Sequence, residues 1–362
     1  MLATACTAAD SPAPATAWTE VRLPRGFRPA LLAAGPGDTV LVASDGHVSG
    51  RPGPRLLDVD GGDVHELPVS PASYYGRRVV WHGIAAADER LFAIGGRSGG
   101  AHGMTRWTAW SGSAPDGLRE DVQDFETFGG PSSGGIVGIV TPAGGPPLLV
   151  GSRVSDEGSG LDVAIWEYGD RTWLRRPSSG PLAASDGAQP AAHGASVRGR
   201  GVVIAGSVTT FRDGVRTRPA IWTSPTDDGP WTRTLLPADG DDPAEAGSVA
   251  CDPEGGCLIG GYAGDHLAAW RLSASGGVTV AGPPAVPAGP APVRVATSHA
   301  AGRFAVAVSD PAGGGQVLVE ESGRWTRLGL PSAAVISVAQ TTDSLWLVAA
   351  CPDGACLWRH VE

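Results

Sequence analysis

An apolar run that ends in Val or Ile and is closed by two small residues occurs seven times along this chain. The copies are Val42-Ala43-Ser44, Ile94-Gly95-Gly96, Val150-Gly151-Ser152, Ile204-Ala205-Gly206, Ile259-Gly260-Gly261, the looser Val306-Ala307-Val308 and Val348-Ala349-Ala350, spaced 42 to 56 residues apart. Each is followed by a second run that usually ends in Trp, at Trp110, Trp166, Trp222, Trp270 and Trp358. Each is preceded by a run rich in small side chains, as at Gly134–Val140, His193–Val197 and Val335–Ala339. The runs are short, Gly, Pro, Asp and Ser punctuate them, and apolar residues do not recur at helical spacing, which is an all-β pattern. The 54 Gly and 31 Pro are spread along the whole chain and so mark turns, not a disordered segment.

Multi-strand units at a period of about 40 to 50 residues are the mark of propeller blades. The small-residue run is read as strand a, crowding the axis, with the repeated word as strand b and the Trp run as strand c. Strand d follows strand c as Trp231-Thr-Arg-Thr-Leu-Leu-Pro237 and Trp325-Thr-Arg-Leu-Gly-Leu-Pro331. The same word stands at Trp18-Thr-Glu-Val-Arg-Leu-Pro24 with no strands before it, and the last strand c, at Leu357-Trp358, is followed by four residues. The orphan word is therefore expected to supply the missing strand and close the ring, removing the open sheet edges of a linear array. The expectation is an all-β chain: residues 18–362 form a single seven-bladed β-propeller of four-stranded antiparallel blades, and residues 1–17 form a leader and tether.

The formal net charge of −10 argues against nucleic acid or an anionic membrane surface as the main partner. No run approaches 18 apolar residues. Cys251 and Cys257 bracket one short turn, and Cys351 and Cys356 another. Hairpin geometry brings such pairs within bonding reach, so two local disulfides are expected, the alternative being two pairs of small buried thiols. Zinc-type spacing is missing beside either pair, and neither a metal nor a cofactor is expected. Disulfides imply an oxidising compartment.

Leu2-Ala3-Thr4-Ala5-Cys6 followed by a polar, Pro-rich stretch to Ala17 resembles the lipobox and tether of bacterial lipoproteins, with Ala3 where Leu is usual. That resemblance implies lipidation at Cys6 and a place outside the cytoplasmic membrane. Leu91-Phe-Ala-Ile-Gly-Gly96 and Leu258-Ile-Gly-Gly261 are similar to kelch-type strands, and Ser224-Pro-Thr-Asp-Asp-Gly-Pro-Trp231 is similar to the Asp-box of sialidase-type propellers. As a whole the chain resembles a secreted, actinobacterial-type propeller lipoprotein.

The d–a and b–c connections share one face around the mouth of the central channel, the default ligand site. That face carries Tyr74, Tyr75, Arg77, Arg78 and His82 around one inner strand; the candidate binding residues are Arg77, Arg78 and His82 of these, His193 at the matching place two blades on, and Arg97 and Arg153 after the small pair of strand b. Tyr262 and Arg294 complete the set. Arginine forks suit an anion or sugar carboxylate; the alternative is that these arginines pair with Asp156, Glu157 or Asp265 at the rim. The histidines have the alternative of being hydrogen-bonded inner-strand residues. Phe27-Arg28-Pro29 resembles the Arg-Ile-Pro word of sialidases without the Ile. Sialidase chemistry would further require an acid, a Tyr–Glu pair and three converging arginines. The reading is a non-enzymatic, extracytoplasmic, lipid-anchored binding or scaffolding propeller, monomeric, meeting a protein or glycan of the cell envelope. The alternative is a glycan-acting, sialidase-like hydrolase with its site at the channel mouth.

Overall fold

The computed structural model describes residues 18–46, 53–99, 104–131, 133–156, 160–212, 214–238, 240, 242–286, 294–309, 315–330, 334–352 and 354–361. Residues 1–17, which hold Cys6, and Glu157 lie outside the described residues. Seven sheets follow one another along the chain. Blades I to VI run Leu31–Leu67, Val80–Asp121, Ile136–Arg176, Ala188–Leu235, Ala244–Val280 and Arg294–Leu328, each with strands a to d in chain order. Blade VII takes strands a to c from Val335–Thr341, Ser344–Cys351 and Gly354–Val361, and strand d from Trp18–Val21.

The closing strand is antiparallel to strand c, with Trp18 opposite His360 and Val21 opposite Leu357. The pairing is shorter than the seven-residue word, because at Pro24 the chain enters a turn in which the Phe27 N–H donates to the Pro24 carbonyl at 3.0 Å. Two of the word's three tryptophans reach backwards to the preceding blade: the Trp325 indole N–H donates to the Ala281 carbonyl at 3.0 Å and that of Trp18 to the Gly329 carbonyl at 2.5 Å. The shared word is thus an inter-blade contact repeated at the seam.

There is no single core. Seven apolar layers lie between neighbouring blades, and strand b feeds two of them. In blade I, Val40 and Val42 face blade VII while Leu41 and Ala43 face blade II; in blade IV, Val202 and Ile204 face blade III while Val203 and Ala205 face blade V. A strand buried on both faces reads as an unbroken apolar run, which is why the b word shows no alternation. At the seam, Phe27, Leu32 and Leu57 of blade I pack with Trp346, Val348 and Leu357 of blade VII, and Val21 and Leu23 cover them.

The two small residues closing the b word have a steric cause. Five inner strands carry a β-bulge at one matching place, with His82, Val137, His193, Gly247 and Ile336 as the extra residues. Opposite the residue before each bulge stand Gly95, Gly151, Gly206, Gly261 and Ala349. A Cβ on Gly206 would lie 2.0 Å from the Ala191 carbonyl oxygen, and one on Gly261 2.0 Å from that of Glu245. Blade VI, whose b word is loose, keeps an unshifted register. Blade II departs from four strands: Val69–Ser70 adds a short fifth strand parallel to its outer strand, where the Leu118 N–H donates to the Pro68 carbonyl.

Both disulfides are present, Cys251–Cys257 across an a–b turn and Cys351–Cys356 across a b–c turn, hence on opposite faces of the ring. No helix among the described residues is long and apolar enough to cross a membrane.

Candidate functional site

The inner strands of all seven blades line an axial cavity of about 470 Å³. Its wall is mostly small and hydroxyl-bearing, including Ser196, Ser248, Thr297 and Ser337, with His82, His193 and His299. His82 and His193 correspond because each is the extra residue of a bulge. Their surroundings differ.

His193 stands at the junction of blades IV and V. Its Nε2 lies 3.1 Å from the Ser207 hydroxyl and 3.3 Å from a Glu245 carboxylate oxygen. Burial pushes the imidazole below its usual value, while Glu245 pulls it the other way. Glu245 also pairs across the sheet with Tyr262 and accepts a hydrogen bond from its hydroxyl; burial and this carboxylate push the phenol up to about 12. On blades I and II, Asp45 accepts the Trp81 N–H at 3.0 Å. Burial pushes this carboxyl up, against that hydrogen bond and the charges of His82 and Arg97. The His82 ring meets Trp107 edge-on at 4.8 Å.

The arginines proposed from the sequence do not share one partner. Arg77 is exposed, and the Arg78 guanidinium lies 3.8 Å from the Tyr74 ring. Arg97 is half-buried near Asp45. Arg153 reaches the Glu126 carbonyl at 3.4 Å, and the acid expected at its rim, Asp156, instead pairs with Arg175. Asp265 pairs with His266. Arg294 begins strand a of blade VI, opposite Ser309.

A hollow of about 500 Å³ on the mouth face of blade II is walled by Tyr75, Trp107, Phe125 and Phe128, of which the sequence reading had placed only Tyr75 on that face. It takes residues from three separate stretches: the connection entering blade II, strand c, and the connection leaving it, which contains the helical turn Phe125–Phe128. Two acids at the end of strand d anchor its frame. The Glu120 carboxylate accepts the Ala72 and Ser73 N–H groups at 2.6 and 2.7 Å and the Ser73 hydroxyl at 2.6 Å. Gly76 follows from this packing, since a Cβ there would lie 2.1 Å from Glu120 Oε2. Asp121 pairs with Arg171 and accepts the Tyr168 hydroxyl at 3.2 Å. Both acids are thereby committed to structure. At the rim Phe125 is 55% exposed, and the Arg106 guanidinium lies 4.4 Å from its ring. The available signal was the i, i+3 aromatic pair after an acidic doublet, Glu120-Asp121 and then Phe125 and Phe128.

No family model matches this sequence, and no curated protein matches it. Among solved structures, the β-propeller domain of Myceliophteria thermophila Cps50 (Swd1) covers 96% of this chain and is itself covered over 100% of its length, with a TM-score of 0.57 at 10% identity. A Trypanosoma rangeli sialidase in complex with 2,3-difluoro-KDN is matched over 83% of this chain and 55% of its own, with a TM-score of 0.48 at 12% identity. The chain thus spans about half the length of that sialidase. At 10% identity the likeness to the Cps50 domain speaks to the propeller fold alone.

Proposed function

We propose that this propeller is a non-enzymatic binding module of the extracytoplasmic space, tethered through a lipid on Cys6, that takes a glycan in the aromatic hollow of blade II. The observation that carries the reading is the hollow itself: four aromatic walls over a frame whose two buried acids are already engaged. Aromatic faces bury the apolar side of a pyranose ring, and rim polar groups such as Asp124 and Arg106 can fix its hydroxyls. The two disulfides support an oxidising compartment.

A hydrolase reading draws support from the hydrogen-bonded Tyr262–Glu245 pair. Such chemistry would need three converging arginines, and of the candidates Arg77, Arg78, Arg97 and Arg153 belong to the connection into blade II and to blades II and III, leaving Arg294 of blade VI as the one candidate in a blade next to Tyr262 and Glu245 of blade V. The binding reading is therefore preferred. A glycan array run beside a panel of fluorogenic glycosides tests both. Saturable binding that falls at least 10-fold in Trp107→Ala and Phe125→Ala, without turnover, is the expected result. Binding that survives both substitutions moves the ligand elsewhere; turnover that disappears in Glu245→Gln establishes the hydrolase.

A further inference from the structure

We propose that the ligand of the aromatic hollow on blade II carries an ammonium group: a sugar with a free amine where a neutral glycan has a hydroxyl or an acetamide. This rests on the reading of the hollow as a glycan site and adds the charge of what it takes.

Aromatic walls alone do not choose between a neutral sugar and a charged one, so the choice falls to the charges around them. Among the described residues, the carboxylates of Glu120, Asp121 and Asp124 line the hollow against one guanidinium, that of Arg106. The three acids differ in how far their charge is balanced. Asp121 is paired with Arg171. Glu120 is buried, and its donors among the described residues are all uncharged: the Ala72 and Ser73 N–H groups and the Ser73 hydroxyl. Those bonds fix the carboxylate in place without cancelling its charge, and a charge held away from water acts more strongly on its neighbours than one at the surface. Asp124 is exposed and stands directly before the turn Phe125–Phe128 without capping it.

The walls favour the same sign. Ring faces carry the negative part of the aromatic quadrupole, so a cation within about 6 Å of a ring centre is attracted. The rim already holds one such pair, the Arg106 guanidinium 4.4 Å from the Phe125 ring. An anion in the hollow would meet negative ring faces and the Glu120 and Asp124 carboxylates. A neutral sugar would gain from the walls alone, and an ammonium-bearing sugar from walls and carboxylates together. The volume of about 500 Å³ far exceeds a bare ammonium, so the cation belongs to a larger body, and a pyranose ring supplies the apolar face that such walls bury. Its ammonium carries three N–H donors, which suits the Asp124 carboxylate at the rim.

The test compares three tetrasaccharides of one β-1,4-linked glucose backbone that differ only at carbon 2: the glucosamine tetramer, its N-acetylated form, and cellotetraose. Calorimetry on the intact protein at low salt should find the amine form bound at least about 10-fold more tightly than either of the others. A chain of net charge −10 draws polycations in general, so tetralysine is the control and should not bind saturably over the same concentrations. Asp124→Asn should narrow the preference for the amine over the acetylated tetramer by about 5-fold, and Arg106→Gln, which removes the competing cation, should widen it. Both variants should melt as the parent does. Equal binding of the three tetramers, or tighter binding of a neutral one, that is lost in Trp107→Ala overturns the charge assignment and leaves the glycan site standing. Saturable binding of tetralysine at the same strength, or an amine preference that neither charge variant moves, overturns it as well. Binding of none of the three overturns the inference, and a silent glycan array besides overturns the glycan reading with it.

Discussion

Replacing Trp18 by Ala removes three contacts at once from the strand that closes the ring. The indole packs on the layer between blades VI and VII, its N–H donates to the Gly329 carbonyl, and its ring meets His360 at 5.3 Å. A fully buried Trp→Ala change costs about 3–5 kcal/mol, so the half-buried Trp18 should cost about 2 kcal/mol in packing. The hydrogen bond adds about 1 kcal/mol. A loss of about 3 kcal/mol lowers the melting temperature of a chain this long by roughly 4 °C, from an unfolding entropy of about 2 cal/mol/K per residue. Thr19→Ala on the same strand, exposed, should stay within about 0.5 kcal/mol of the parent. Trp18→Phe should recover most of the packing and lose the hydrogen bond. Calorimetry gives the totals, and hydrogen exchange gives the location: faster exchange is expected in 354–361, the partner of the lost edge, and not in blade III. If Trp18→Ala melts with the parent and 354–361 exchanges unchanged, the seam does not depend on this strand, and the closure argument fails.

Three further outcomes follow from the same geometry. His193 has its ordinary value of 6.5 when unfolded and a lower one when folded, so the unfolded chain takes up the proton first as pH falls. Its contribution is complete above pH 6.5 and is lost as pH drops through that value, so melting temperature should fall between pH 7.5 and 5.5, and fall less in His193→Gln. Tyr262, raised from 10 to about 12, should appear in an ultraviolet titration as a phenol ionising late that Tyr262→Phe removes, with stability lost as pH rises from 10 toward 12; parent and variant curves that superpose would contradict the Glu245 contact. Replacing Cys351 and Cys356 together by Ala should cost about 2 kcal/mol, the chain entropy of so short a loop, measured by urea denaturation, with the native sheet retained.

What could be read from the sequence follows from which residues have one neighbour and which have many. The b words were legible because strand b is buried on both faces, so Val40 to Ala43 had to be apolar throughout. The seam was legible because Trp18 and Trp325 make the same contact in successive blades, and the same contact asks for the same word. The aromatic hollow was not, because Tyr75, Trp107 and Phe125 come from stretches that the ring brings together and no local pattern links. The rim pairing was misread for a related reason. Arg153 lies on strand b and Arg175 on strand d, and it is the outer strand that meets Asp156. Five bulges could have been inferred, since each stands against a Gly or Ala in the repeated word, but small residues on an inner blade have a simpler explanation in crowding at the axis.

The pairing of Trp18 with His360 also governs the order of events in folding. Blades I to VI each fold from one continuous stretch, with neighbouring strands joined by short connections. Blade VII needs a strand made at the start of the chain and three made at its end. During synthesis, Trp18, Val21 and Leu23 emerge before the other strands of the ring and wait for a partner that follows those strands, with six blades formed or forming between them. A contact spanning almost the whole chain carries the largest loop-closure cost and forms late. Until it does, the strand edge at 354–361 and the apolar side of the waiting strand stay exposed, which are the features that recruit wrong partners. The ring should therefore be most vulnerable as its final residues arrive. A refolding experiment should find its slowest phase in the fluorescence of Trp18 and Trp358, and that phase should be removed by joining the two ends with a short linker and reopening the chain between two other blades.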